Sequence, residues 1–216
     1  GGVETGKLIM AQSASSLKKV TLELGGKSPL IVFDDCDFDL AVQTALDANF
    51  YTAGEVCSNG TRVFVQDTIA EDFVAAMVEK ASAMSVGDPM VADVQMGALI
   101  SEKHLGRVLD YVEAGRSEGA TIATGGNRVR PQGFENGYFM EPTILTDCTD
   151  NMRVVREEIF GPVMSVLTFS TEDEAIARAN DTKFGLGAGL MTKDLARAHR
   201  VAGQLESGNV WVNTFN

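Results

Sequence analysis

Apolar residues recur along the chain with two different periods, which predict strands and helices in alternation. Short runs of β-branched and apolar residues, bounded by turn residues, predict strands. These strands cover residues 20–24, 30–33, 62–65, 121–123, 143–145, 163–169, 187–191 and 210–212. Apolar residues at helical spacing predict helices. These helices cover residues 37–49, 69–84, 104–118, 172–180 and 195–205.

Strands that alternate with helices favour βαβ units, in which helices cover both faces of a parallel sheet. We therefore expect an α/β fold of three layers, α/β/α, around a largely parallel sheet. Asp35 or Asp37 is the expected cap of the helix at residues 37–49. Residues 115–137, which are rich in glycine, are expected to form a surface excursion rather than a domain linker.

Charge and cysteine usage narrow the classes of partner and compartment. Eighteen basic and thirty acidic side chains give a formal net charge of −12. Such a charge repels nucleic-acid phosphates and anionic lipid, so we expect neither nucleic acid nor membrane as a partner. The three cysteines (Cys36, Cys57 and Cys148) are far apart in the sequence. This spacing excludes a disulfide framework and fits a reducing compartment, so a cytoplasmic location is expected.

Both ends of the sequence differ from the ends of a typical domain. The chain opens at Gly1 directly into a glycine-rich turn, and residues 212–216 follow a predicted strand without a closing helix or polar tail. Domains usually end in residues that favour solvent. We therefore expect the sequence to be part of a longer protein.

Cys57 lies in the segment GEVCSNGTR (54–62), between a helical pattern and a predicted strand. Flanking glycines allow backbone N–H groups to approach a reacting centre and allow a tight turn to expose the thiol. Most free cysteines are small buried hydrophobic residues, and we interpret Cys36 and Cys148 in that way. The polar, glycine-rich surroundings make Cys57 the candidate nucleophile.

A nucleophilic cysteine needs a base or a positive environment to form its thiolate. His104 and His199 both lie in amphipathic helices among charged residues and are predicted to be solvated, which disfavours a Cys–His hydrolase. Glu23, in TLELGGKSP (21–29), is flanked by leucines and followed by two glycines. If a strand buries this carboxylate, it can act as a general base for water. A strand residue that points to solvent is the open alternative.

Two further motifs are weak when taken alone. EEIFGPV (157–163) places a carboxylate and Phe160 before a Gly-Pro turn, where a ribose and a nicotinamide can be bound; a charged loop with a core phenylalanine is the alternative. GGVETGK (1–7) is a glycine turn that opens a helix, and the free N–H groups of a helix N-terminus bind phosphate. It matches neither the Rossmann fingerprint nor a complete P-loop.

In this order, the four motifs resemble the aldehyde dehydrogenase superfamily across essentially the whole chain. The pair LELGGKSP (22–29) and GEVCSNGTR (54–62) is highly specific, and its spacing is similar to that of the family. EEIFGPV (157–163) and SGNVWVN (207–213) add to the resemblance. Within the superfamily, the betaine aldehyde dehydrogenase subfamily is most similar at residues 18–42, 59–65 and 180–186.

The resemblance implies a role for each matching residue. Cys57 is similar to the residue whose thiolate attacks the aldehyde, first forming a thiohemiacetal and then a thioester. Its backbone N–H is similar to one of the two donors of an oxyanion hole. Glu23 is similar to the base that activates water. The implied coenzyme contacts are Gly1, Gly2, Val3 and Glu4 at the pyrophosphate, Gly25 at the nicotinamide, and Glu158 with Phe160 at the ribose. Tyr51 matches an aromatic residue of the aldehyde pocket, and the backbone near Leu17 matches a K⁺ ligand.

The resemblance also implies a domain division and a reaction. Residues 1–22 would be a remnant of the coenzyme-binding domain and residues 23–216 the catalytic domain of a longer, homo-oligomeric protein. The expected reaction is oxidation of betaine aldehyde to glycine betaine with NAD or NADP; another aldehyde or semialdehyde is the alternative. A folded but inactive module, or a thiol esterase that uses Cys57 and Glu23 without coenzyme, are the alternatives from other classes. We expect the chain by itself to be inactive.

Overall fold

Seven α-helices and nine β-strands make up the computed structural model, which describes residues 1–216. The helices are α1 (Val3–Ala14), α2 (Phe38–Phe50), α3 (Ala70–Ser82), α4 (Glu102–Ser117), α5 (Arg153–Arg156), α6 (Glu172–Asn180) and α7 (Leu195–Ala202). The strands are β1 (Pro29–Val32), β2 (Arg62–Gln66), β3 (Thr121–Thr124), β4 (Arg128–Val129), β5 (Phe139–Met140), β6 (Thr143–Thr146), β7 (Val163–Phe169), β8 (Gly187–Met191) and β9 (Asn209–Val212).

Seven of the strands form one sheet in the order β3-β6-β7-β2-β1-β8-β9. Every neighbouring pair in this sheet is parallel except β3 with β6. All residues of β1 and β8 are buried, and successive residues of a strand face opposite sides of a sheet. Other elements therefore cover both faces of the sheet at its centre, which confirms the predicted α/β fold with a largely parallel sheet.

Side-chain caps explain where several helices begin. The carboxylate of Asp37 accepts a hydrogen bond from the Leu40 N–H at the start of α2, so Asp37 rather than Asp35 is the cap. Ser101 caps α4 in the same way, and Asp194 caps α7. None of the helices combines the length and the apolar character that a membrane span requires.

The predicted strand at residues 20–24 is wrong. Residues 18–28 form neither strand nor helix, and the one backbone hydrogen bond of residues 20–24 joins the Gly1 ammonium to the carbonyl of Glu23. An extended apolar run becomes a strand only where a neighbouring strand supplies partners for its N–H and C=O groups. No strand of the sheet lies beside this segment.

The surface excursion predicted at residues 115–137 contains more regular structure than its composition suggests. Besides the end of α4 and strand β3, it holds β4, which pairs with β5 in a small antiparallel sheet of its own. Gly125 and Gly126 both have positive φ values, which explains the two glycines in this turn.

Strand order determines where the candidate chemistry lies. Gly25 lies shortly before β1, Cys57 before β2, and Glu158 before β7. These three strands are adjacent and parallel, in the order β7-β2-β1. Parallel strands have their amino ends at the same edge of the sheet, so the three segments are brought together although they are far apart in the sequence.

Candidate active site

A cleft of about 560 Å³ brings together most of the residues predicted for catalysis and coenzyme binding. Seven of these predicted residues line it: Gly1, Gly2, Glu23, Gly25, Cys57, Glu158 and Phe160. The other lining residues are Leu24, Glu55, Val56, His104 and Arg107. The volume lies within the range of about 300–1,000 Å³ that is typical of small-ligand sites.

The turn that carries Cys57 has an unusual backbone. Thr52, Ala53 and Gly54 all have positive φ values, of 52°, 51° and 72°. This region is uncommon for residues with a Cβ. A Cβ on Gly54 would overlap the backbone of Gly161, so glycine here allows the Cys57 turn to contact the segment before β7 directly.

Cys57 differs from the other two cysteines in its surroundings. Its side chain is partly exposed in the cleft, whereas Cys36 and Cys148 are buried. Burial raises the pKa of both Cys36 and Cys148 to about 11, which keeps their thiols protonated at neutral pH. Cys57 is therefore the one thiol of the chain that a reagent in the cleft can reach.

Cys57 also has a free backbone N–H. The amide of Cys57 donates to no acceptor within the chain, although Asn59, two residues later, donates to the carbonyl of Val56. An unpaired N–H beside a nucleophile can stabilise a negative oxygen that forms there. No hydrogen bond joins the Cys57 thiol to either histidine, and the Nε2 of His104 instead contacts the carbonyl of Phe160.

The glycine pair at residues 25–26 keeps two site residues close. A Cβ on Gly25 would overlap the carboxylate of Glu158, and a Cβ on Gly26 would overlap the carbonyl oxygen of Cys57. The N–H of Gly26 donates to Oε1 of Glu158 at 3.1 Å. The half-buried carboxylate of Glu158 therefore uses one oxygen within the chain and has its second oxygen free of hydrogen bonds.

Glu23 lies in the cleft and is exposed, so of the two alternatives left open by the sequence the solvent-facing carboxylate is the one observed, although no strand carries it. Residues 20–24 do not join the sheet, so no strand covers this carboxylate. What the structure shows is its position: Glu23 and Cys57 line the same cleft, and the carbonyl of Glu23 accepts a hydrogen bond of 2.7 Å from the Gly1 ammonium.

The N-terminus of α1 opens onto the cleft. Gly2 is its N-cap and provides no side-chain cap, so the first N–H groups of the helix, including those of Val3 and Glu4, have no intrahelical acceptor. Val3 and Glu4 themselves do not line the cleft. The carboxylate of Glu4 pairs with Lys7 at 2.8 Å, which lowers the pKa of Glu4.

Two further predicted site residues do not line the cleft. Tyr51 begins the 3-10 helix Tyr51–Gly54, is 70% exposed and does not line the cleft. Leu17, which follows α1 with a φ of 53°, is 90% exposed. No group of three or more His, Cys, Asp or Glu side chains forms a metal site in the chain. The K⁺ site near Leu17 stays a prediction.

His104 is the residue that the sequence misplaced. It was predicted to be a solvated surface histidine, but its side chain is only 14% exposed and lines the cleft. Arg107, one turn further along α4, lines the cleft as well, and so does Glu55. The spacing of His104 and Arg107 in the sequence indicates that they share one helix face. Which way that face points depends on tertiary packing. His199 is exposed, as predicted.

The residues of the cleft fit a nicotinamide dinucleotide. An uncapped helix N-terminus offers N–H donors for a pyrophosphate. The carboxylate of Glu158, with one oxygen free, suits the hydroxyl groups of a ribose. The ring of Phe160, which is 37% exposed, offers an aromatic face on the same cleft.

Comparisons with known proteins agree with this geometry. The Aldehyde dehydrogenase family profile matches residues 1–216. Betaine aldehyde dehydrogenases of Brucella anthropi and Brucella ovis are 57% and 55% identical over all 216 residues. The betaine aldehyde dehydrogenase of Staphylococcus aureus, solved in complex with NAD⁺, superposes on the whole chain with a TM-score of 0.96 and 45% identity. The NAD⁺ complex of an aldehyde dehydrogenase from Bacillus cereus gives 0.95 and 46%.

The chain is much shorter than these relatives. It covers 44% of each Brucella protein and 43% of each of the two solved chains. The chain therefore spans less than half the length of the proteins that it matches.

Proposed function

The chain belongs to the aldehyde dehydrogenase family, and from this premise we propose that it supplies the catalytic residues for oxidation of an aldehyde to a carboxylic acid. We infer that the coenzyme is NAD, because solved relatives hold NAD⁺, and that the aldehyde is betaine aldehyde, because relatives at 55% and 57% identity carry that name. The observation that carries the proposal is the shared cleft of Cys57, Glu23 and Glu158.

We also propose a division of labour along the chain. Residues 1–22 include α1, in which only Gly6 is buried, and they form the end of a coenzyme-binding unit. Residues 23–216 hold the sheet and form the catalytic unit. The division is supported by the length of the relatives, which are more than twice as long as the chain, and by the position of α1 outside the sheet.

The first step is attack of the Cys57 thiolate on the aldehyde carbon. The carbonyl π electrons move to oxygen and give a thiohemiacetal oxyanion, which the free N–H of Cys57 is placed to stabilise. Gly26 packs against the carbonyl of Cys57, which holds the backbone of the nucleophile turn against the loop before β1.

Three groups of the chain would hold the coenzyme. The N–H groups of residues 1–4 would bind the pyrophosphate, the free carboxylate oxygen of Glu158 would accept from ribose hydroxyls, and Phe160 would offer its ring to the nicotinamide. When bound, the nicotinamide supplies the acceptor for the hydride that leaves the thiohemiacetal carbon. Gly25, which packs against Glu158, keeps this wall of the cleft free of side-chain atoms.

Hydrolysis of the resulting thioester is the role of Glu23. Its carboxylate takes a proton from water, the hydroxide adds to the acyl carbon, and the C–S bond breaks to release the acid and the Cys57 thiolate. Glu23 is exposed, so the proton that it accepts can be passed to solvent before the next turnover.

Betaine aldehyde carries a quaternary ammonium group, which aromatic faces bind through cation–π interactions. Tyr51, exposed at the start of the turn that leads to Cys57, is the candidate aromatic residue of the chain. A neutral aldehyde or a semialdehyde lacks this contact. A preference for betaine aldehyde that is lost in a Tyr51→Ala variant would support the betaine assignment.

A chimera with a full-length relative tests the proposed function. Residues 1–216 replace the matching segment of the Brucella anthropi relative, which is 57% identical. We expect NADH formation from betaine aldehyde by the chimera, none from its Cys57→Ser variant, and unchanged turnover in the matched control Cys36→Ser. The unfused chain, which has only part of the coenzyme site, is expected to form no NADH.

A Glu23→Gln variant of the chimera separates the two chemical steps. We expect a burst of NADH close to one per active site, followed by steady turnover about 10²–10⁴-fold slower, because removal of a general base slows deacylation. Loss of the burst would contradict the role of Glu23. Ester hydrolysis without any coenzyme, combined with no aldehyde oxidation, would favour the thiol esterase alternative.

A further inference from the structure

One face of α4 holds the segment that carries Glu158 and Phe160. Three side chains of this helix contact the segment: His104 Nε2 lies 2.6 Å from the carbonyl oxygen of Phe160, Arg107 Nη2 donates to the carbonyl of Glu158 at 3.4 Å, and Tyr111 Oη donates to Glu157 Oε2 at 2.7 Å. The spacing of these residues, i, i+3 and i+7, places them on the same side of a helix. The contacts therefore form one continuous row.

The segment needs such support because its backbone is strained. Phe160 has a φ of 60°, and a bulky residue in the left-handed region persists only where its surroundings hold it. The next residue, Gly161, approaches α4 so closely that a Cβ there would lie 2.7 Å from Val108 Cγ2. The side chain of Val108 in α4 therefore packs directly against the backbone of this turn.

His104 makes the shortest of the three contacts, and its chemistry at Nε2 is constrained. Nε2 faces two acceptors, the Phe160 carbonyl at 2.6 Å and Glu55 Oε1 at 3.4 Å. The same oxygen of Glu55 accepts from the Ile100 N–H at 3.2 Å, which fixes the carboxylate. Because both neighbours accept, Nε2 carries a hydrogen whether the imidazole is neutral or protonated.

We propose that His104 is a positioning residue, which donates from Nε2 to the Phe160 carbonyl and so holds Glu158 and Phe160 against the cleft. The effect of this hydrogen bond on coenzyme binding rests on the proposed function. Gly161 packs on Gly54 in the turn before Cys57, so the segment that His104 holds is also in contact with the nucleophile turn.

The same geometry argues against His104 as the base for Cys57. The nitrogen with contacts, Nε2, is a donor to Phe160, and no hydrogen bond links His104 to the Cys57 thiol. The role of His104 therefore depends on the hydrogen on Nε2. A substitution that keeps a hydrogen-bond donor at that position should preserve this role.

The tautomer of His104 tests the proposal on the unaltered chain. Nitrogen-15 NMR of histidine-labelled protein distinguishes a neutral imidazole with hydrogen on Nε2 from one with hydrogen on Nδ1. We expect the Nε2–H form alone for His104, while exposed His199 serves as the internal reference for a solvated ring. An Nδ1–H form of His104 would overturn the proposal.

Variants test whether the hydrogen bond positions Glu158. The Gly26 amide reports on this, because its N–H is bonded to Glu158 Oε1. In His104→Leu we expect hydrogen exchange at Gly26 to be about tenfold faster, as loss of one hydrogen bond implies. In His104→Gln, which keeps a donor, exchange should stay within about threefold of the wild type. His199→Leu is the matched control and should leave exchange unchanged.

Two exchange results would overturn the positioning role. Equal exchange rates at Gly26 in His104→Leu and wild type would show that the His104 contact does not position Glu158. Equal acceleration in both His104 variants would show that packing of the imidazole ring, and not its hydrogen bond to Phe160, is what matters. If His104→Leu does not fold, the tautomer measurement decides. NADH formation by the chimera tests the coenzyme role separately, so its absence would count against the proposed function alone.

Discussion

At the residue scale, two cations are buried beside the site in unequal environments. Arg62 donates to three carbonyls: those of Lys27 at 2.9 Å, Arg178 at 3.1 Å and Ala179 at 2.8 Å. Its charge therefore stabilises the C-terminal carbonyls of α6. The ammonium of Lys27 is equally buried but has no hydrogen-bond partner. Burial, and secondarily the charge of Arg62, lower the pKa of Lys27 to about 7.

The depressed pKa of Lys27 makes stability depend on pH in a defined window. Between pH 7 and the unfolded pKa of 10.5, the unfolded chain binds a proton that the folded chain does not, so this group makes folding more favourable as pH rises. The Lys27→Met variant lacks this group, so its free energy of unfolding minus that of the wild type should decrease by about 2 kcal/mol from pH 7 to 9. Urea unfolding at several pH values measures it.

Lys80→Met is the matched control for this measurement, because Lys80 is exposed on α3. Its difference from wild type should be independent of pH over the same range. If the stability difference between Lys27→Met and wild type is also independent of pH, the buried amine keeps its proton in the folded chain.

Thiol reactivity is a second property of single residues. Cys57 is partly exposed, while Cys36 and Cys148 are buried with raised pKa values. We expect iodoacetamide to alkylate Cys57 at least about tenfold faster than the other two at pH 7.5, because the thiolate is the reactive form. Peptide mapping by mass spectrometry after short exposure measures the three rates. Faster labelling of Cys36 or Cys148 in folded protein would contradict the assignment of Cys57.

At the scale of elements, glycine has opposite effects in the loop before β1 and within α4. Gly26 is buried, and a Cβ there would overlap the carbonyl oxygen of Cys57. Gly106 is exposed in the middle of α4, with no atom within 4 Å of the Cβ position. In the loop, glycine permits a contact between two site segments. In the helix it adds backbone freedom to the unfolded chain without a compensating contact.

The two alanine variants should therefore shift stability in opposite directions. Gly26→Ala is expected to lower the free energy of unfolding by about 1–3 kcal/mol, since the added methyl displaces the Cys57 backbone. Gly106→Ala is expected to raise it by about 0.5–1 kcal/mol. Denaturant unfolding measures both. The alkylation rate of Cys57 should change in Gly26→Ala and stay constant in Gly106→Ala; destabilisation of both variants would contradict the packing argument.

At the scale of the whole molecule, α1 is loosely attached to the rest of the chain. Gly6 is its one buried residue, where it packs on Leu24. Leu8, Ile9 and Met10 are exposed by 64%, 40% and 52%. Apolar side chains grouped in this way favour contact with another surface.

We predict that the isolated chain self-associates through α1. Light scattering after size-exclusion chromatography should give a mass that rises with concentration above the 23.1 kDa of the monomer. A Leu8→Glu, Met10→Glu double variant should return the mass to that of the monomer, whereas the control Leu195→Glu, at another exposed leucine, should not. A monomer at all concentrations would show that the exposed face of α1 does not self-associate.

The sequence by itself determined the fold class and the identity of the site segments. Buried strands such as β1, β7 and β8 are largely apolar runs between turn residues, and short-range patterns of this kind can be recognised without a structure. The motifs around Glu23, Cys57 and Glu158 are also local, so their residue types could be assigned candidate roles directly from the sequence.

Only the tertiary structure decided the features that depend on contacts between segments far apart in the sequence. The apolar run at residues 20–24 forms no strand, because a strand exists only where a neighbour pairs with it. Glu23 is exposed and His104 is half-buried, since exposure depends on which elements pack nearby. The adjacency of β7, β2 and β1 brings Gly25, Cys57 and Glu158 to one edge of the sheet, because strand order is a property of the whole chain that no local pattern encodes.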